Sequence, residues 1–568
     1  MKTNILKNKK VKILLFILLL IFANNDQLFS ANISAKATGY WNATTTWSGG
    51  VVPGSADNVT IGSSYSVTVS ENVSCNNLTI NNKVNNIVIA DGVSLTIRGQ
   101  LTGGTINLDA VGGTGTIIFT GETITNVITS KITSSISFYN ITFNSSSSLS
   151  VNGFLKIDGG TLNIQSGSVS STNQVVGINN AKLNVNTGTT FNVYNMISGG
   201  ASTNPFPTIT VDGTLFTNNY IIGTDITVKG TLNTSGYIST TNITIVGTIT
   251  TSNYVNVANN FILDSKGNFN TSYAGDEGWW SASNSPAAAS LDGTVTLNGS
   301  DQYIGAGLTF NNLNISSLGT KTLSGNITVN GLLYIGYEAT FDAQSYIVDG
   351  GGSISIGDLS TFMTSNPNGI DGVNVTSNGY SNIGYANFVF NGSGAQVTGS
   401  QMPDNIQNLT VDNTSTLTLS NSLDCYDVTT AADAQLIVPP GIGLTCEDYA
   451  SFAKPLILKT STTANRPQMG TFINYGTVSG DITMEMSYTT NGYSGNTGRG
   501  LYFSSPITNA TSSIVGANGT TNRLLYVDEG TRKWVEIKNL TTSLTVAKGY
   551  LFRSTSTAVF SFTGTPNA

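Results

Sequence analysis

A repeat of fixed length in the middle of this 568-residue chain constrains the fold more than any other feature. Three segments align without gaps; they begin at Ile209, Ile226 and Ile243, 17 residues apart each time. Each opens with Ile-Thr, then Val or Ile, one variable residue, Gly and Thr. A fixed period near 20 is typical of a solenoid, in which each unit buries its apolar side against its neighbours.

The length and pattern of this repeat predict strands rather than helices. Seventeen residues supply about 50 Å of extended chain, enough for one coil around a narrow core but too little for a unit that contains a helix. Alternation places Ile209 and Val211 on one face and Thr210 on the other. Tyr220, Tyr237 and Tyr254 recur at the same phase, which predicts a ladder of stacked rings. The glycines Gly213, Gly230 and Gly247 suit bends with positive φ.

Looser copies of the repeat, such as Val93-Ser-Leu-Thr-Ile97 and Leu417-Thr-Leu419, extend the pattern in both directions. Only 10% of the residues are charged, and residues that favour helices are sparse. We therefore predict an all-β protein with a long parallel β-helix, expected to be right-handed, over residues 58–458. A set of antiparallel β-sandwiches is the alternative, because Asp-Gly pairs also suit hairpin turns. The fixed register favours the solenoid.

The first residues have the pattern of an export signal, which we assign to residues 1–31. Four lysines between Lys7 and Lys12 precede an apolar run from Ile13 to Ala23. That run is shorter than the roughly 20 apolar residues that span a membrane, although an uncleaved anchor is the alternative. We expect a secreted or cell-surface protein that meets the export machinery and has no transmembrane span in its mature chain.

The two ends of the proposed solenoid differ from it in composition. Residues 32–57 contain Trp41 and Trp47, which predict either an aromatic cap over the first coil or a site where the rings stack on a sugar. Residues 459–568 are expected to form a β-sandwich-like module that breaks off before it is complete. Its concentrated charges are interpreted as a solvated face.

Catalytic chemistry has little support in the sequence. Histidine is absent, which removes the commonest general base, and we expect neither a metal site nor a cofactor. The candidate catalytic carboxylates are Asp349, Asp358 and Asp371, since paired carboxylates about 5–10 Å apart hydrolyse glycosidic bonds. Neither Lys nor Arg accompanies them in the stretch 349–372, and Asp-Gly is also an ordinary turn pair.

A second candidate site lies where adjacent aromatic rings follow two carboxylates. Such a cluster could stack on a sugar and accept hydrogen bonds from it, or it could be an irregular coil that buries one tryptophan. Its residues are Asp276, Glu277, Trp279 and Trp280.

Two of the three cysteines, Cys425 and Cys446, are 21 residues apart in similar local sequence, about one coil. Stacked positions on adjacent coils have Cα atoms within disulfide range, and export permits the bond. The alternatives are a disulfide and two free thiols in a buried ladder. Cys75 is predicted to be a core residue.

Several short motifs resemble a known class of protein. The chain is similar to large secreted surface proteins of Bacteroidetes-type bacteria, and its opening also resembles a glycine-rich extracellular domain that precedes β-helices. The resemblance implies a β-helix surface protein exported by the type IX route, and the absence of a recognisable sorting domain implies a fragment. The motifs are Trp41 to Val59, Phe310 to Ile315, Leu323 to Gly331, Gly470 to Val478, Gly500 to Pro506, Trp534 and Lys548 to Tyr550.

The sequence therefore predicts an extracellular, adhesin-like structural protein with a stiff solenoid and polysaccharide or cell-surface glycans as ligands. A polysaccharide lyase or glycoside hydrolase on the same scaffold is the alternative. No basic patch with interleaved aromatics is present, so nucleic acid is not an expected partner.

Overall fold

The structure is a computed structural model. It describes residues 30–80, 87–103, 111–122, 126–129, 135–199, 205–273, 288–372, 380–381, 385–461, 468–489 and 500–567. The protein is all-β, with 56% strand and 3% helix, and its parallel β-solenoid has about 16 turns. The predicted fold class is confirmed.

Most strands are short, and their inward positions alternate with outward ones. Strands β1 to β14 are Asn32–Ser34, Gly39–Tyr40, Asn58–Ile61, Val67–Val69, Val73–Cys75, Leu78–Ile80, Ile87–Ile89, Ser94–Ile97, Leu101–Gly103, Val111–Gly112, Thr116–Phe119, Asn126–Thr129, Ser135–Phe138 and Asn140–Asn152. Strands β15 to β28 are Phe154–Asp158, Thr161–Ser171, Val175–Ile178, Lys182–Val185, Thr190–Val193, Ile197–Ser198, Phe206–Val211, Thr214–Thr217, Ile221–Val228, Thr231–Thr234, Ile238–Ile245, Thr248–Thr251, Val255–Leu263 and Asn268–Thr271.

The second half of the chain continues in the same manner. Strands β29 to β41 are Ala288–Leu297, Gln302–Ile304, Thr309–Ile315, Thr320–Leu323, Ile327–Val329, Leu332–Ile335, Thr340–Asp342, Val348–Asp349, Ser353–Ile356, Thr361–Thr364, Tyr380–Ser381, Asn387–Phe390 and Gln396–Val397. Strands β42 to β55 are Asn405–Val411, Thr416–Thr418, Leu423–Thr430, Gln435–Val438, Gly443–Ser451, Leu456–Leu458, Thr471–Asn474, Thr477–Ser479, Ile482–Tyr488, Leu501–Phe503, Asn522–Asp528, Lys533–Ile537, Tyr550–Ser554 and Ala558–Gly564. Short 3-10 turns lie at Thr44–Thr46, Ser48–Gly50, Gly369–Gly372 and Ser512–Val515.

The chain divides into two compact units. The first comprises residues 1–270 and 283–290, and the second comprises residues 271–282 and 291–568.

The 17-residue register lies in the first unit and is confirmed. Ile209 pairs with Ile226, and Ile226 pairs with Ile243, in parallel strands. These side chains are buried, because alternation directs every second residue into the core. The next coil is one residue longer, and a shift of register between Thr240 and Asn242 accommodates the insertion.

The predicted tyrosine ladder is also confirmed. The rings of Tyr220 and Tyr237 are 4.9 Å apart between centroids, and those of Tyr237 and Tyr254 are 5.0 Å apart. The interplanar angles of 12° and 3° show stacked rings, which parallel in-register coils impose on identical side chains.

The repeated glycines are not required for positive φ, contrary to the prediction from the sequence. None of Gly213, Gly230 and Gly247 has a positive φ. A Cβ atom on Gly230 would lie 2.0 Å from the carbonyl oxygen of Gly213, and one on Gly247 would lie 2.0 Å from that of Gly230. Glycine is required here because adjacent coils approach too closely for any side chain.

The N-terminal region joins the solenoid rather than merely covering it. Strand β1 pairs in parallel with β3, and β2 pairs in parallel with β4. The parallel ladders thus begin at Asn32, before the predicted boundary at residue 58. The intervening loop buries Trp41 and Trp47 within this first turn.

In the second unit, polar side chains close the turns from inside. The buried amide of Gln302 accepts from the Gly299 N–H at 2.7 Å and donates to the carbonyls of Thr271 and Tyr273. Gln396 repeats the arrangement with the Gly392 N–H and the carbonyls of Thr364 and Asn366. These bonds satisfy backbone groups that the turns would otherwise leave buried and unpaired.

Parallel pairing also extends past the predicted boundary at residue 458. Strand β48 pairs with β46, and β50 pairs with β47, both in parallel. Strand β55 then pairs antiparallel with β50. A separate antiparallel sheet follows in the strand order β51-β54-β52-β53, so the C-terminal module changes from parallel to antiparallel topology.

Candidate functional site

A cleft lies in the C-terminal antiparallel sheet. Its scaffold is set by pairing, with Leu524 opposite both Phe552 and Ile537 on the inward face. Phe552 packs edge-on against Phe560, with ring centroids 4.6 Å apart. This buried aromatic packing fixes the sheet from which the cleft residues project.

One wall of the cleft is the turn between β52 and β53. The Asp528 carboxylate accepts hydrogen bonds from the N–H groups of Gly530 at 2.9 Å and Thr531 at 3.2 Å. The hydrogen bonds from Thr531 and Gly530 hold the pKa of Asp528 below its usual value, and nearby Lys548 contributes. The turn is therefore ordered around an ionised carboxylate.

The opposite wall is the loop that leads into β54. The Lys548 ammonium lies 3.4 Å from the centre of the Tyr526 ring, a cation–π contact. The Tyr550 hydroxyl accepts a hydrogen bond from the Thr545 N–H at 2.8 Å, which fixes the same loop. Both contacts hold Lys548 at the cleft.

The cleft has a volume of about 870 Å³, within the range of small-molecule and oligosaccharide sites. Two large rings line it and keep much of their surface exposed, Tyr502 at 69% and Trp534 at 50%. Asp528 and Glu529 also line the cleft. Exposed ring faces pack on the apolar C–H faces of sugars, and carboxylates accept hydrogen bonds from hydroxyls. This combination suits a saccharide.

The N-terminal tryptophans are not part of such a surface. Trp41 is 1% exposed and Trp47 is fully buried, with ring centroids 5.1 Å apart. The indole N–H of Trp47 donates to the Trp41 carbonyl at 2.6 Å, and that of Trp41 donates to the Pro53 carbonyl at 3.4 Å. Buried rings with their polar groups satisfied have no face to offer a sugar, so the cap interpretation fits this geometry.

The three candidate catalytic carboxylates have ordinary turn and strand environments. The Asp371 carboxylate accepts from the N–H groups of Ser400 at 2.6 Å and Gln401 at 3.0 Å and so ties two loops together. Asp349 is exposed at the end of β36 and accepts from the Gly350 N–H. Asp358 is exposed in a turn. Within the described residues, no ion pair joins any of the three to a cation.

The predicted aromatic cluster at Asp276, Glu277, Trp279 and Trp280 lies outside the described residues. Its role as a glycan site stays a prediction.

The two stacked cysteines are brought together. Cys425 pairs in register with Cys446, and both are buried. Both are free thiols in this structure, and Cys75 is a buried core thiol as predicted. A hydrogen bond with Cys446, together with burial, raises the pKa of Cys425 above its usual value. The stacking that a disulfide needs is therefore present, and the bond itself stays a prediction.

Sequence reasoning missed the cleft residues Tyr502, Tyr526, Asp528 and Trp534. A signal for them is present in the sequence, because charged residues and five aromatic residues occur together between residues 502 and 550. The aromatic residues are Tyr502, Phe503, Tyr526, Trp534 and Tyr550. The charges alone were interpreted as a solvated face.

Metal and membrane sites are not evident in the described part of the chain. It contains no group of three or more His, Cys, Asp or Glu residues placed to hold a metal ion. It also contains no helix long and apolar enough to cross a membrane.

Comparison with known proteins gives no match. No protein-family model matches the chain, and neither curated proteins nor solved structures include a significant relative. Function is therefore argued from the geometry.

Proposed function

We propose that the protein is an extracellular, adhesin-like structural protein whose C-terminal aromatic cleft binds glycans. The observation that carries the proposal is one cleft that is lined both by two exposed rings, Tyr502 and Trp534, and by the carboxylates of Asp528 and Glu529. The extracellular location rests on the basic and apolar segment at the start of the sequence.

The solenoid supports a structural role. Each coil pairs its backbone with the coils before and after it, so the hydrogen-bond ladders are continuous over many residues within each unit. Polar side chains add ladders of their own, since the Asn242 amide donates to Asp225 at 2.8 Å and the Asn260 amide donates to Asn242 at 2.8 Å. Such a lattice resists bending because a local distortion breaks several bonds at once.

The cleft supports glycan binding by its mixture of groups. A pyranose ring that stacks on Trp534 would bring its hydroxyls toward Asp528 and Glu529, while Lys548 balances one of the two negative charges. A site that is neither strongly acidic nor strongly basic suits a neutral saccharide. Ring stacking supplies affinity, and the carboxylates supply orientation.

The experiment is glycan-array binding of the full chain, with Trp534→Ala and Tyr502→Ala as test variants. Loss of an aromatic anchor typically costs about 2 kcal/mol, so each variant should weaken binding by about tenfold or more. Tyr194→Ala is the matched control, because Tyr194 is 58% exposed and lies far from the cleft in sequence, in the first unit. Binding that survives both cleft variants would exclude the cleft.

The enzymatic alternative is tested on the same glycans. Release of reducing ends by the wild-type chain, lost in Asp349→Asn or Asp358→Asn, would contradict a purely structural role. Asp371→Asn is a poor probe, because that carboxylate holds the Ser400 and Gln401 loop.

A further inference from the structure

The segment 471–480 forms the last parallel turn of the sheet that contains β46. It differs from the two turns before it in how much of it is buried. In the two previous coils the inward residues are buried, among them Leu423, Cys425, Leu444 and Cys446. The corresponding segment 471–480 has no buried residue at all. The residues at this end of the sheet are therefore less covered than those of the coils before it.

The inward positions of this turn show what is left uncovered. Phe472 pairs with Leu444, and Val478 pairs with Ala450, yet both Phe472 and Val478 are partly exposed. Asn474 pairs with Cys446, and its side-chain oxygen is buried without a hydrogen-bond donor. The inward apolar residues of this turn therefore lack the cover that the two previous coils have.

The edge of the turn is also free. Strands β48 and β49 each pair with β46, and no strand among the described residues pairs with their outer side. The adjacent sheet differs, because its last parallel strand, β50, is covered by β55 in antiparallel orientation. In the sheet that ends at β50, an antiparallel strand pairs with the last parallel strand. In the sheet that ends at β48, no described strand does so.

The free edge has neither charged side chains nor prolines, two common protections against pairing, although its strands β48 and β49 are short. Natural edge strands carry charges, prolines or bulges that discourage association. The segment Gly470 to Gly480 contains neither a charged residue nor a proline, and it exposes Ile473 at 50% and Tyr475 at 71%. The preceding coil, by contrast, exposes Glu447 and Asp448.

We propose that this edge pairs with the same edge of a second copy of the chain, strand β48 against strand β48, about a two-fold axis. A two-fold contact is self-complementary, and an uncharged edge meets its own copy without repulsion. The contact therefore closes as a dimer rather than growing as a filament.

The test is the mass of the full chain in solution, measured by light scattering over a range of concentrations. We expect the wild type to dimerise, and Ile473→Lys and Thr471→Lys to abolish the dimer at concentrations where the wild type is paired. Both side chains are exposed, so these variants should keep the wild-type circular dichroism spectrum and melting temperature. Ile262→Lys is the matched control, because Ile262 is 42% exposed on an interior strand, and it should leave the dimer intact.

Three results would overturn the proposal: a wild type that stays monomeric, a dimer that both edge lysines leave unchanged, or an open series of larger species. Hydrogen exchange gives an independent measurement, since amides in 471–479 should lose protection when the dimer is diluted. The proposal is separable from glycan binding, because Trp534→Ala should remain a dimer.

Discussion

The carbonyl oxygen of Gly213 lies 2.0 Å from the point where a Cβ atom on Gly230 would stand. The contact is between backbones of successive coils, and Gly230 in turn holds the same relation to Gly247. The column of glycines is thus a line of closest approach along which no side chain fits.

Gly230→Ala should therefore lower the free energy of unfolding of the first unit by about 1–3 kcal/mol, because overpacking forces the backbones apart. Urea unfolding measures the change. Gly394→Ala is the control, since a Cβ atom there meets nothing within 4 Å and its φ is not positive. Equal stability of the two variants would contradict the steric explanation.

Tyr237→Ala should cost more than Tyr254→Ala, because the Tyr237 ring stacks on both sides. Each ring pair contributes about 0.5–1.5 kcal/mol beyond burial, so the loss of two pairs should cost about 1–3 kcal/mol. Tyr237→Phe retains the stacking and should be close to neutral. Thermal unfolding of the three variants distinguishes stacking from a role of the hydroxyl, which would make Tyr237→Phe as damaging as Tyr237→Ala.

Lys321 predicts a pH dependence of stability. Its ammonium is buried and donates to the carbonyls of Gly299, Ser317 and Leu318 at 2.8, 3.1 and 3.2 Å. Burial lowers its pKa from 10.5 to about 8, with Asp301 opposing the change. Between these values the unfolded chain binds more protons than the folded one, so this residue's contribution to stability rises with pH from about 8 to 10.5 and is flat below 8.

The measurement for Lys321 is the free energy of unfolding of the wild type minus that of Lys321→Met, from pH 7 to 10. This difference should increase above pH 8. A difference that stays constant or falls would show that the ammonium is not penalised by burial. Ionisation of other groups affects both proteins and cancels in the comparison.

Cys425 and Cys446 should form a disulfide when the protein is incubated with a small disulfide oxidant. Two successive thiol–disulfide exchanges with one oxidant molecule link the two sulfurs and release two small thiols, so denaturing thiol titration should fall from three free cysteines to one. Closing a loop of this length stabilises by about 3 kcal/mol. Cys75→Ser should leave the reaction unchanged, whereas retention of all three thiols would favour the free-thiol alternative.

The solenoid could be predicted because its signal is local and repeated. Ile209, Ile226 and Ile243 recur at a fixed spacing that favours stacked coils, and the tyrosines follow the same spacing. The role of Gly230 could not be predicted, since a sequence does not distinguish a glycine required for positive φ from one required for close contact. The extent of the ladders was also underestimated, because the first and last coils lack the repeat pattern.

The cleft could not be predicted for a different reason. Tyr502, Trp534 and Lys548 come from separate segments: Tyr502 lies on β51 and Trp534 on β53, the two edge strands of the sheet, and Lys548 lies in the loop before β54. No periodicity links them, and each residue type is common on surfaces. Only the pairing of Val527 with Trp534 and of Tyr526 with Tyr550 assembles the site.

The parallel ladders have a kinetic consequence. Parallel sheets usually form slowly because they join distant parts of a chain, but here Ile226 meets Ile209 and Ile243, only 17 residues away on either side. The entropy cost of closing each loop grows only with the logarithm of its length, so every coil costs about the same to add. The solenoid can therefore assemble coil by coil from a formed neighbour, in either direction along the chain, without waiting for the whole polypeptide.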